Sequence, residues 1–470
     1  MSGLLTVFRN VVRHAVESGV IETPITADLG YSWRPDKAAF FPHGPESSGY
    51  PEFLAVRSDA PAHSPTLGAE LLEIRAAVAD LASLGSAGRA ALKSRIEPLA
   101  ERYAAYFTEW FDAEDIDWVC AVNMTLSDAV PVTLGLHRAA AARWHADRPG
   151  GVLFWDHDLF GSYAVRDHGE RVYPDAPHEL TPVPGTHPCH LWAVVSEDLA
   201  KEAVGYPSPL TPLVVPNILP SVPEAALTDR YRVYLAGLHV DPARPVILAP
   251  VRLFHVKGVE ISVELLRAVH DVCRDRALAP PYLFVFGSLD EEPDYAVTVL
   301  DTARRCGLTE DIRFLDGVPL GSHRTDDGRW VLDEIDLLTI CAATGGGVFF
   351  TPNCPDVESV GLGPALAAIA GVPCAVTSFT ALHAIYGAAH RFATVDPSHD
   401  LREAAEKFVD LMDGSRAGDE KVRAALRRNR AQVLDRFPTT PWRELLDRMT
   451  AAIASGPPRR NTDSEQGTPR

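Results

Sequence analysis

From Glu358 to Pro373 the chain sets a carboxylate, a glycine turn and a short apolar helix in the order needed to hold a sugar diphosphate. Gly361 and Gly363 let the backbone approach a ligand, Pro364 suits the first helical position with its fixed φ, and Gly371 suits the residue that stops a helix. An anion is stabilised at such a helix start, where unpaired N–H groups and the positive end of the dipole converge. A second group lies between Pro250 and Gly258, where Arg252 and Lys257 follow an apolar run and precede a helical pattern. Two cations placed there would neutralise a diphosphate and the charge it gains as a leaving group. Without such a ligand they are ordinary solvated charges.

Other residue types that could bind or react are scattered. Seven cysteines occur without a CxxC pair, which fits reduced thiols and a cytoplasmic protein. His187-Pro188-Cys189-His190 is the one metal-like cluster, and its proline-rich setting without a second ligand pair reads as a plain loop. Two cations and a helix N-terminus would stabilise a departing phosphate without a metal, so neither a metal nor any other cofactor is expected. The net charge of −19 repels nucleic acid and anionic lipid, so a phosphate-bearing ligand must meet a local basic site. No apolar run approaches the roughly eighteen residues that span a bilayer, and the N-terminus lacks the pattern of a secretory leader. Stable membrane insertion is not expected. Leu4, Leu5, Phe8, Val11, Val12 and Ala15 form a helical stripe beside Arg9 and Arg13, which reads as burial against the domain in preference to contact with lipid.

The elements that must position these residues follow an α/β rhythm. At 470 residues the chain is expected to form two domains. After an opening helix and a loop from Tyr31 to Tyr50, helical patterns appear near 68–84 and 87–112. Strand patterns then fall at 116–122, 151–155, 191–196 and 213–215, with a helix at 129–145. The second half is more regular: strands at 246–249, 282–286, 312–315, 347–351 and 373–377 alternate with helices at 259–274, 294–306, 332–342 and 364–370. Right-handed crossovers turn that alternation into a parallel sheet covered on both faces. The expected division is 1–220 for a first domain, 221–243 for a linker without a clear strand, and 244–436 for a second domain. A helix at 437–455 is expected to pack back on the first domain, and 456–470 to form a disordered tail. Ligands of parallel sheets sit outside the carboxyl ends of the strands, the edge to which Pro250–Gly258, Gly287-Ser288 and Pro352–Glu358 lead.

These residues carry a resemblance. Pro250–Glu260 resembles the Arg-x-x-x-x-Lys-Gly segment of the glycosyltransferase family 4-like retaining enzymes. Glu358-x-x-Gly361-Leu362 with Ala367, Ala370, Gly371 and Pro373 is similar to that family's Glu-x-Phe-Gly-Leu…Glu-Ala-x-Ala-x-Gly-x-Pro pattern. Val215-Pro216-Asn217 resembles its Val-Ile-Pro-Asn-Gly, and Ile312 to Val318 its Val-x-Phe-x-Gly strand. The resemblance implies the GT-B fold, α/β with two Rossmann-like domains whose parallel sheets face each other across a cleft. It makes Arg252 and Lys257 binders of the donor diphosphate and Glu358 a contact to hydroxyls of the donor sugar. The amides of Val360, Gly361, Leu362 and Gly363 would touch sugar and phosphate, with Gly287 and Val318 completing the donor site. His157, between Asp156 and Asp158, looks like the family's histidine beside the sugar, although a histidine so flanked also suits a hydrogen-bonded loop.

The family pattern is not complete. Its second glutamate, which usually holds the nucleotide ribose, falls at Leu366; its N-terminal glycine-rich loop is not evident; and His383 stands where many members have a further glutamate. The implied function is metal-independent, retaining, hexosyltransferase-type transfer from a nucleotide-diphosphate sugar to a small-molecule acceptor. Specialised-metabolite or antibiotic biosynthesis would suit it, with an oxygen, nitrogen or sulfur nucleophile. Oligomeric state is left open. Two alternatives stand beside this reading: an inactive GT-B protein that binds nucleotide sugars, which Leu366 favours, and an NAD-dependent dehydrogenase. The latter is hinted at by Gly361-Leu362-Gly363 and Gly345-Gly346-Gly347, neither of which completes G-x-G-x-x-G.

Overall fold

Short runs rich in Val, Ile, Leu and Phe form two larger parallel sheets, of six and four strands, in the computed structural model, which describes residues 3–21, 24–30, 33, 50–57, 65–126, 129–145, 147–159, 166–167, 170–171, 173–174, 176–354 and 358–454. The expected loop from Tyr31 to Tyr50 lies almost wholly outside these residues, and the expected tail entirely so. The chain divides into a larger unit, Met1–Gly68, Gly161–His168 and Pro216–Thr439, and a smaller one, Ala69–Phe160, Gly169–Val215 and Thr440–Arg470.

The larger unit begins with α1 (Gly3–Glu17) and a parallel pair, β1 (Ile25–Asp28) and β2 (Leu54–Arg57). Of the stripe on α1, Val11, Val12 and Ala15 are buried, as is the neighbouring Val7, and Leu4, Leu5 and Phe8 are half-buried. Arg9 is buried with them, donating to the Leu320 carbonyl at 3.3 Å and pairing with Glu334 at 3.4 Å, while Asn10 Nδ2 donates to the Ile218 carbonyl at 3.0 Å. The opening helix, expected in the first domain, therefore groups with the second. Periodicity shows that a helix has an apolar face, not which surface covers it.

The smaller unit takes in most of α2 (Pro65–Ala79), then α3 (Ser86–Ala113), β3 (Trp118–Val122), α4 (Val130–Arg143) and β4 (Gly151–Asp156). After β5 (Arg166–Asp167), which groups with the larger unit, the smaller unit continues with β6 (Glu170–Arg171), β7 (His190–Val194), α5 (Glu197–Ala203) and β8 (Leu213–Val214). Its sheet has the order β3-β4-β7-β8, every pair parallel.

The rest of the larger unit supplies α6 (Asp229–Gly237), β9 (Val246–Ala249), α7 (Val259–Asp275), β10 (Tyr282–Val285), α8 (Pro293–Cys306) and β11 (Ile312–Phe314). An antiparallel pair, β12 (His323–Arg324) and β13 (Trp330–Val331), precedes α9 (Glu334–Ala343), β14 (Gly347–Phe350), α10 (Gly363–Ala370) and β15 (Cys374–Thr377). Then come α11 (Leu382–Tyr386), β16 (Ala393–Val395), α12 (Arg402–Ala417) and α13 (Glu420–Arg436). The sheet order is β11-β10-β9-β14-β15-β16, all parallel, and β9, β10, β14 and β15 are buried throughout. That burial explains their unbroken apolar sequences.

Several elements depart from expectation. The stretch expected as a linker contains α6, whose N-cap Thr228 accepts from the Tyr231 N–H at 3.4 Å; the Tyr231 hydroxyl donates to Asp336 of α9 at 2.6 Å. The short β12, β13, α11 and β16 were not expected. By contrast, the last helix, α14 (Thr440–Ala454), which the sequence expects to pack back on the first domain, groups with the smaller unit, where Trp118 Nε1 donates to the Met449 carbonyl at 3.1 Å and Trp442 packs edge-on to Trp155 at 4.7 Å.

Candidate functional site

The order of the larger sheet reverses between β9 and β14. From β9 the chain moves outward through β10 to β11, and from β14 outward through β15 to β16. Open α/β sheets bind ligands outside the carboxyl ends of the strands at such a switch point, because the diverging connections leave a crevice there. The loop leaving β9 carries Arg252 and Lys257, and the one leaving β14 carries Glu358. Across the switch point Lys257 Nζ donates to Glu358 Oε1, both side chains being largely buried.

Backbone geometry fixes the two loops to each other. A 3₁₀ turn, His255–Lys257, ends at Gly258 with φ of 59°, and a Cβ at Gly258 would stand 2.1 Å from the Thr351 carbonyl. Thr351 Oγ1 donates to the Gly258 carbonyl at 2.9 Å, and the Asn353 N–H to the Val256 carbonyl at 3.3 Å. Arg252 is held from two sides. Its Nε faces Glu291 Oε1 at 3.3 Å and its guanidinium lies over the Phe254 ring, 4.6 Å from the centroid. Gly287 leaves the end of β10 against this loop, and buried Val318 follows β11, where the Gly317 N–H donates to the Phe286 carbonyl at 3.0 Å.

Two helices start beside the switch point, and their ends differ. The first amides of α7, Val259 and Glu260, donate to the Tyr295 hydroxyl at 2.7 and 3.4 Å, and that hydroxyl in turn donates to Glu260. At α10 the N-cap is Leu362, which offers no side-chain acceptor. Of the two ends, α10 is the better suited to an outside anion. The helix begins at Gly363, one residue before the expected Pro364, and stops at Gly371 in the left-handed region with φ of 71°. Tyr386, fully buried, donates to the Gly361 carbonyl at 2.6 Å and fixes the turn, and burial raises its phenol pKa.

The glycines also have a reason that the sequence does not show. A Cβ at Gly361 would come within 2.6 Å of the Phe379 ring, and one at Gly363 within 2.4 Å of the Phe350 ring. Packing beneath the turn demands them, whatever lies above it. Glu291, Phe254, Tyr295, Tyr386 and Thr351 escaped the sequence reading, since each acts through a partner distant in the chain or through its own backbone loop.

His157 lies in the smaller unit, after β4. Its backbone N–H donates to Asn123 Oδ1 at 2.7 Å, its ring packs on Trp155 at 4.4 Å, and Nε2 is buried with no hydrogen-bond partner among the described residues. Burial lowers its pKa to about 3, so the imidazole is neutral at pH 7. Beside it Asp156 accepts from Trp192 Nε1 at 2.8 Å and from the Thr125 N–H at 3.4 Å. Burial raises that carboxyl to about 7, against the lowering effect of those donors.

With this geometry in place, one solved structure decides the architecture. WaaG, a glycosyltransferase involved in lipopolysaccharide biosynthesis, matches with a TM-score of 0.50 at 13% sequence identity, over 97% of this chain and 97% of that one. The fold is GT-B. A glycosyltransferase from Rickettsia africae ESF-5 matches at 0.47 with 13% identity, over 84% of this chain and 97% of that one. Anabaena Alr3699/HepE in complex with UDP and glucose matches at 0.48 with 16% identity, over the same shares. No protein-family model matches the chain, and no curated protein matches it in sequence.

Two details bear on how this GT-B chain differs from the family pattern. Leu366, where that pattern has a glutamate, is part of the buried face of α10. Gly345-Gly346-Gly347 leads into β14, at the amino end of the sheet, and a Cβ at Gly346 would fall 1.8 Å from the Val246 carbonyl. That run serves strand packing, since a dinucleotide loop follows its strand. Among the described residues no helix is long and apolar enough to cross a membrane.

Proposed function

We propose that this protein is a glycosyltransferase that takes a hexosyl unit from a nucleoside-diphosphate sugar, with the switch-point crevice of the larger unit as the donor site. The observation that carries the reading is the convergence of Lys257 and Glu358 from opposite sides of the switch point, with the start of α10 following Glu358. Arg252 and Lys257 neutralise the diphosphate as it leaves, the amides of Val360 to Gly363 receive its oxygens, and Glu358 orients the sugar through its hydroxyls. Because two cations and a helix end supply this charge, transfer proceeds without a metal. For His157, a neutral imidazole suits hydrogen bonding to a hydroxyl and not charge neutralisation. Following the family resemblance, transfer retains anomeric configuration: the departing diphosphate helps deprotonate the acceptor, which attacks from the same face. The acceptor is a small molecule.

The test is release of nucleoside diphosphate from UDP-, GDP-, ADP- and dTDP-hexoses, with and without a chelator. Arg252→Ala and Lys257→Ala should each lower the rate about 10²- to 10³-fold, the cost of one lost oxyanion donor, and the chelator should leave it unchanged. Wild-type rates in both variants would end the proposal. A second reading, a GT-B protein that binds the donor without turning it over, rests on Leu366; tight nucleotide binding with no release from any of the four sugars would favour it.

A further inference from the structure

Leu289-Asp290-Glu291-Glu292 has the composition of a solvated acidic turn, yet the Glu291 side chain is only 3% exposed. A carboxylate removed from water is costly unless a cation and hydrogen-bond donors replace its hydration. Glu291 has both. Oε1 faces Arg252 Nε at 3.3 Å, and Oε2 accepts from the Leu253 N–H at 2.6 Å. Glu292 repeats the arrangement two residues further along the loop, accepting from the His255 N–H at 2.8 Å and meeting His255 Nδ1 at 2.9 Å. Gly287 permits the approach, since a Cβ there would lie 2.3 Å from Leu253 N and 2.8 Å from Glu291 Oε2.

Adjacent glutamates thus fasten two points of the loop that carries both cations. An arginine side chain has rotamer freedom to lose, and its hydrogen bonds weaken steeply away from linearity, so its usefulness to an anion depends on how well its plane is fixed. We propose that Glu291 is a positioning residue of the donor site, holding the guanidinium plane of Arg252 and the backbone at Leu253 in the orientation that receives the diphosphate. This rests on the reading of Arg252 given above. A carboxylate there also subtracts from the positive charge that a diphosphate meets. The two effects have opposite signs in a Glu291→Gln variant: lost positioning weakens binding, whereas lost negative charge alone would tighten it.

A double-mutant cycle decides the matter, read by calorimetry with whichever of UDP, GDP, ADP and dTDP binds wild type most tightly. Glu291→Gln should weaken that nucleotide about tenfold in the wild-type background, in keeping with loss of a charge-assisted hydrogen bond. It should weaken it by less than about twofold in Arg252→Ala, because coupled sites are not additive. Thermal midpoints of each variant separate lost positioning from lost folding. Glu291→Asp, which keeps the charge and shortens the reach, should show the same coupling if glutamine disturbs the fold. Equal weakening in both backgrounds, or unchanged or tighter binding in Glu291→Gln alone, would overturn the assignment. Wild-type affinity in Arg252→Ala, or no binding of any of the four nucleotides, would remove the diphosphate reading itself.

Discussion

Replacing Asp156 with asparagine should change how the stability of the smaller unit depends on pH. The carboxyl is buried beneath Trp192 and Thr125, and its pKa rises from 3.8 to about 7 in the folded state. Between those values the folded chain holds a proton that the unfolded chain has released. Stability from this group is therefore full below pH 4 and is lost as pH rises to 7. A shift of roughly three units corresponds to about 4 kcal/mol over the whole window, and to about 2 to 3 kcal/mol between pH 5 and pH 8. Asparagine carries no such proton. Its amide can serve only one of the two donors, a cost of about 1 to 3 kcal/mol that does not vary with pH.

The assay is equilibrium urea unfolding of both proteins at a series of pH values, followed by tryptophan fluorescence. Six of the eight tryptophans lie in the smaller unit and report its transition. Taking the difference between variant and wild type removes the contributions of other titrating groups, including His157, whose lowered pKa gives the opposite slope between about pH 3 and 6.5. The Asp156→Asn protein should gain on wild type as pH rises from 5 to 8. A pH-independent difference, or a gain toward low pH, would refute the reasoning.

Other expectations follow from the larger unit. Glu358→Gln removes the carboxylate proposed to orient the donor sugar, so turnover should fall about 10²-fold, and it frees Lys257 from its ion pair, so calorimetry should find nucleoside-diphosphate affinity equal or higher. Gly361→Ala meets both a φ of 63° and the Phe379 ring at 2.6 Å, and should cost the larger unit about 1 to 3 kcal/mol in urea unfolding. Arg9→Ala leaves Glu334 buried without its cation, and should cost about 3 to 5 kcal/mol. Arg9→Met with Glu334→Leu should recover most of that loss in the same measurement.

What could be read from sequence follows the range of the interactions involved. Strands such as Val246–Ala249 and Gly347–Phe350 announce themselves because burial on both faces leaves only apolar residues, and the loops after them could be named for the same reason. The places of Arg252, Lys257 and Glu358 at the switch point were legible because each follows such a strand at short range. Glu291 was not, for its partner is 39 residues away and it stands in an acidic run with Asp290 and Glu292. Helix α6 is nine residues long and polar on average, below what periodicity resolves. One reason for the glycine turn was hidden, since the Phe350 and Phe379 rings that crowd Gly361 and Gly363 belong to other segments. The surface covering α1 was also illegible, because Arg9 meets Glu334 more than three hundred residues on.

The central claim is that the crevice between β9 and β14 receives the diphosphate of a sugar nucleotide. Hydrogen exchange on wild type, with and without the nucleoside diphosphate that binds most tightly among UDP, GDP, ADP and dTDP, tests it most directly. The amides of 252–258, Gly287 and 360–366 should gain protection on binding, and the gain should be lost in Lys257→Ala. Protection confined to other segments, or no change at those amides under saturating nucleotide, would contradict it.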